Sequence, residues 1–114
     1  MKRNIFFLLT FLAILSLTTI SYSQTYGQAT CSSGAATRLG ASWGGAHYKS
    51  FSILNQTPTT GVYIGPDASV TSSNGGILLG STTAVGVIFE NGDSPWYCIT
   101  ASGSATVGYN ITAR

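Results

Sequence analysis

The apolar residues of this chain follow two different patterns. Residues 5–20, IFFLLTFLAILSLTTI, form an almost unbroken apolar run. Beyond it, apolar residues come in short groups separated by turn formers, and no helical stripe of useful length emerges. HYKSFSILN (47–55) alternates, with Phe51 and Ile53 on one side and Ser50 and Ser52 on the other. GVYIG (61–65), ASVTS (68–72), AVGVIFE (84–90), WYCIT (96–100) and ATVGYNIT (105–112) are short and rich in the β-branched and aromatic types that suit a pleated surface. Between them lie NQTPTTG, GPD, SSNGG, NGDSP and ASGSA, whose residues preset turns or tolerate positive φ. CITASGSATVGY reads as a hairpin around a glycine-containing loop. The pattern predicts an all-β domain, a small antiparallel β-sandwich or jelly roll of about seven or eight short strands.

The N-terminal run belongs to a different kind of segment. MKRN is a short basic start, the apolar run follows, and SYS supplies small residues just before Gln24. That order is the one a secretory signal peptide has. Cleavage is expected after Ser23, with Ala29 as the alternative site. The run is also short for a spanning helix, which needs about 20 apolar residues. The expected organisation is a signal peptide at 1–23, an N-terminal arm or edge strand at 24–36, and a sandwich domain at 37–114. Any membrane association is expected only through the leader.

Removing the leader changes the charge picture. The formal charge of +2 comes from Lys2 and Arg3. Arg38, Lys49 and Arg114 then balance Asp67, Glu90 and Asp93. A neutral chain lacks the basic footprint of nucleic-acid binding. It is also poorly defended against association, so a place in a protein assembly or a homo-oligomer is expected. Cys31 and Cys98 stand near the two ends of the domain. In an oxidising compartment they are expected to form one disulfide, and the chain to be secreted, extracellular or periplasmic. No C-x-x-C is present, His47 lacks a companion at metal-binding spacing, and neither metal nor cofactor is expected.

The candidate chemistry is thin. GASWG (40–44) matches the G-x-S-x-G pattern around nucleophilic serines, but that elbow needs a strand, a sharp turn and a helix on a large α/β sheet. A chain of this length has no room for such a sheet. Nothing helical follows Ser42, and His47 comes before every acid. A non-enzymatic protein is therefore expected, with Trp43 in a glycine-rich turn, packed on the core or making a contact. Glu90 and Asp93 flank a tight turn and supply too few oxygens for calcium. Asp67 reads as a turn residue. The aromatics Trp43, Tyr48, Tyr63, Trp96, Tyr97 and Tyr109 are the candidate contact residues, for stacking on a glycan or anchoring a protein partner, although the core must claim some of them. Two N-x-T sequons begin at Asn55 and Asn110.

The stretch ILNQTPTTGVYIGPDASVTSSNGGILLGS, followed by WYCITASGSATV, resembles a pattern common in small uncharacterised proteins of tailed phages and prophages. The resemblance covers roughly residues 51–112. It implies a β-sandwich with a structural role, such as capsid decoration or tail or fibre attachment, located in the virion. It implies no catalytic residues. The leader and the cysteines depart from that pattern and suit a secreted version. A secreted carbohydrate-binding or adhesin-like surface module is the alternative.

Overall fold

The computed structural model describes residues 24–41, 43, 47–74, 76–80 and 85–114. The expected signal peptide at 1–23 and Ser42 of the GASWG motif lie outside these residues. Eight strands are present: β1 (Gln24–Ser32), β2 (Thr37–Arg38), β3 (Tyr48–Asn55), β4 (Val62–Gly65), β5 (Ile77–Leu79), β6 (Gly86–Gly92), β7 (Tyr97–Thr100) and β8 (Ser104–Ala113). They form two four-stranded antiparallel sheets, ordered β1-β8-β3-β6 and β2-β7-β4-β5. There is no helix among the described residues.

The strand order has a simple logic. First pairs with eighth, second with seventh, third with sixth and fourth with fifth. This is the connectivity of a jelly roll. Among the described strands, only β4 and β5 are consecutive and paired in one sheet; every other connection between them crosses between sheets. The hairpin expected at CITASGSATVGY is therefore corrected. β7 pairs with β2 and β4, whereas β8 pairs with β1 and β3. The glycine-containing loop carries the chain from one sheet to the other, with Gly103 at φ 70°. ASVTS (68–72) is not a strand either. Asp67 accepts the Ser69 N–H at 2.9 Å, and Asn74 accepts the Thr71 N–H at 3.0 Å and donates to the Ser69 carbonyl at 2.7 Å. These local side-chain bonds satisfy the backbone in place of a ladder.

Alternation decides the core. On β3, Phe51, Ile53 and Asn55 face inward; on β8, Ala105, Val107 and Ile111 do. From the opposite sheet, Val62, Ile64, Leu79 and Cys98 meet them. The expected disulfide is present: Cys31 of β1 is bonded to Cys98 of β7, and both are fully buried. It ties the two sheets together beside the edge strands β1 and β2. Near the opposite edges, Trp96 stacks on Phe89 of β6 with ring centroids 4.0 Å apart. Ile77 of β5 lines the same hollow as Trp96.

Candidate functional site

The six candidate contact aromatics separate by burial. Trp43 and Tyr48 retain 7% and 4% of their surface and turn into the core. They meet each other and Phe51 edge to face, with centroids 5.4–6.2 Å apart. As a contact residue Tyr48 is corrected, and for Trp43 the core-packed alternative is the one observed. A lysine bulge explains Tyr48: the β3–β8 register slips between Tyr48 and Ser50, which swings the ring inward. Trp96 is half-buried against Phe89 and donates its indole N–H to the Tyr48 hydroxyl at 3.1 Å. Tyr109 faces inward too, opposite Gly27, whose missing side chain makes room for its hydroxyl. Tyr63 and Tyr97 lie half-buried on the outer face of the second sheet.

Ile77 and Leu78 form a smaller exposed pair on β5 of the second sheet. The two most exposed apolar side chains, Tyr26 and Ile88, lie elsewhere, on the outer face of the first sheet with Leu54. Register places two rows there. Tyr26, Asn110, Ser52 and Ile88 form one row across β1, β8, β3 and β6. Gln28, Gly108, Leu54 and Gly86 form the next. Tyr26 is 78% exposed and Ile88 65%, and Leu54 is also exposed. The two glycines cut a trough into the second row, and Gln56 folds over Gly108. The resulting concavity of about 570 Å³ has no charged residue in its wall.

Polar groups rim this trough. Gln28 donates to the Gln56 side chain at 2.7 Å, an amide pair that fixes both arms along one wall. Along the other, the side chains of Tyr26, Ser52 and Asn110 have no hydrogen-bond partner among the described residues. The trough thus offers one exposed ring, aliphatic side chains and several neutral hydrogen-bonding heads. Such a surface suits a neutral partner with both apolar and hydroxyl or amide character.

Sequence reasoning missed Tyr26 because the segment 24–36 was assigned as an arm or an edge strand without a face. Its alternation was the available signal: Gln24, Tyr26 and Gln28 are large, whereas Thr25, Gly27 and Ala29 are small. Small inward residues let β1 lie close over the core.

The titratable residues do other work. His47 donates from Nδ1 to Asp93 at 2.9 Å, and Arg114 reaches the same carboxyl oxygen at 3.3 Å. The His47 hydrogen bond is the main cause that holds the Asp93 carboxyl below the ordinary range, and the charges of His47 and Arg114 add to it. Asp67 is also lowered, by the Ser69 hydroxyl first and the Ser69 N–H second. All four groups are exposed, so these are turn ties at the surface. Among the described residues, no three His, Cys, Asp or Glu side chains gather to hold a metal. The first sequon is closed: Asn55 is fully buried, and its side-chain amide donates to the carbonyls of Thr60 and Leu79 at 2.9 and 2.8 Å. Asn110 stands exposed beside the trough.

Comparison with family models, curated proteins and solved structures finds no match to this chain.

Proposed function

We propose that this protein is a non-enzymatic contact module that works outside the cytoplasm as part of an assembly on a virion or a cell surface. The observation that carries the reading is the uncharged trough on the outer face of the first sheet, with Tyr26, Leu54 and Ile88 exposed around it. Large exposed apolar groups gathered on one face mark interaction surfaces, whereas isolated ones need no explanation. The Cys31–Cys98 disulfide is consistent with an oxidising, extracellular or periplasmic setting. The tailed-phage resemblance of residues 51–112 gives the assembly its most specific form, a capsid-decorating or tail- or fibre-associated domain. Jelly rolls serve in capsids and in lectins alike, so the connectivity by itself does not choose a partner.

A second reading has its own observation. Tyr26 presents its ring next to the Ser52 and Asn110 side chains, which have no hydrogen-bond partner among the described residues, and the Gln28–Gln56 pair, which is the chemistry a neutral glycan needs.

One experiment serves both. The purified protein is tested for co-sedimentation with virions and with envelope fractions, and in parallel on a glycan array. Tyr26→Ala is expected to weaken whichever binding is found by at least about tenfold, as for a central anchor residue. Tyr63→Ala, on the other sheet, is expected to change nothing. Binding that survives Tyr26→Ala and Leu54→Asp would move the contact surface elsewhere. A protein that binds neither virion, envelope nor glycan would end the proposal.

A further inference from the structure

An open sandwich has four edge strands, and here they differ in kind. β2 and β5 are two and three residues long, too short to template another strand. β1 is long, but its sequence QTYGQATCS is polar, and the disulfide anchors it. β6, GVIFENG, is seven residues long with three consecutive large apolar residues. It carries no lysine, arginine or proline, the residues that usually blunt an edge. Nothing among the described residues pairs with its outer side. Ile88 is 65% exposed, and Val87 and Phe89 are only half-buried although they face the sandwich interior.

We infer that β6 is a self-association edge: two copies of this chain pair antiparallel through β6 and join their first sheets into one continuous eight-stranded sheet. The strand is complementary to itself. In a two-fold register centred on Ile88, that residue lies opposite its own copy. Phe89 then lies opposite Val87, and Glu90 opposite Gly86, so each apolar residue meets an apolar residue. The only charge on β6 faces a position without a side chain. The two Glu90 carboxylates end up four residues apart along the strand, about 13 Å, beyond the reach of strong repulsion at ordinary salt. Longer-range repulsion is weak as well, since the full chain carries a formal charge of only +2. Residues 24–114 contain three cations (Arg38, Lys49, Arg114) and three carboxylates (Asp67, Glu90, Asp93), which cancel. Pairing would satisfy the free backbone groups of β6 and cover the half-exposed flanks of Val87 and Phe89. It does not depend on what the trough binds.

The test is sedimentation of the full, disulfide-bonded chain over a wide range of concentration, with two variants. The wild-type chain is expected to shift from monomer to a species of twice the mass. Ile88→Lys sets like charges opposite each other at the two-fold axis, and is expected to weaken that association by about tenfold or more. Because residue 88 is exposed, this variant should keep its circular dichroism and its disulfide. Ile88→Cys is expected to give a covalent dimer without reductant, since opposed positions on paired strands lie within disulfide reach. Glu90→Cys should give none, because its opposite number is residue 86. A wild-type chain that stays monomeric throughout would overturn the inference. So would a dimer that Ile88→Lys leaves intact and Ile88→Cys fails to cross-link, which would point to another surface or to the N-terminal segment.

Discussion

At the scale of single residues, Asn55 shows how a polar side chain can hold a core. It is fully buried on β3, yet it donates to Thr60 and Leu79 and accepts the Thr57 N–H at 3.0 Å. It thereby fastens the 57–60 turn and β5 to the first sheet. Asn55→Ala leaves the Leu79 carbonyl buried without its donor and is expected to cost about 2–3 kcal/mol, read as a lower denaturant midpoint. The surface carboxylates make a weaker, pH-dependent contribution. Asp67 and Asp93 both hold their charge to lower pH in the folded chain than when unfolded. Their stabilisation is complete above the unfolded value of about 3.9 and is lost as pH falls through the depressed folded values. Melting temperature is expected to be flat above about pH 5 and to fall below about pH 4. Asp93→Asn should flatten part of that fall. Burial of these residues was only partly legible beforehand. The sequence marks Asn55 only as the start of an N-x-T sequon followed by Pro58, and its core role appears only once β3 is seen to turn it inward with Phe51 and Ile53.

At the scale of elements, composition and punctuation located β3, β4, β6, β7 and β8 to within a few residues. Their apolar alternation comes from one buried face, which is a local signal. β2 and β5 are different. Thr37–Arg38 and Ile77–Leu79 are too short to show a period, and are strands only because β7 and β4 lie alongside. The reverse error occurred at 68–72, where Val70 and Thr71 suggest a strand but Asp67 and Asn74 bind the backbone first. The trough was illegible for a related reason. It is assembled from four strands that are far apart in sequence, and its depth comes from the absence of side chains at Gly86 and Gly108. A glycine within a strand says little until its neighbours across the sheet are known.

At the scale of the molecule, the two sheets are held at one side by a covalent link and at the other by stacked rings. Cys31 and Cys98 are separated by 67 positions in sequence. In the chain-entropy account, a loop of that length contributes about 4 kcal/mol. Reduction, or the double substitution of both cysteines by alanine, is expected to lower the thermal midpoint by a margin that no surface substitution reaches. An unchanged midpoint after reduction would mean that packing alone carries the sandwich. The sandwich class followed from short strands and turn spacing. The strand order did not, because it depends on which sheet each strand joins.

That order has a consequence for how the chain comes to be folded. Among the described strands β1 pairs only with β8, the eighth of them in chain order. As the polypeptide is synthesised, β1 stays unpartnered until the six intervening strands and β8 have been delivered. Cys31 likewise waits, as a thiol, for Cys98. Closure of the first sheet is therefore a single late event rather than a gradual one, and it depends on contacts between distant parts of the chain, which form slowly. A chain arrested before β8 would present an unpaired Gln24–Ser32 strand, an exposed core face and a thiol open to the wrong partner.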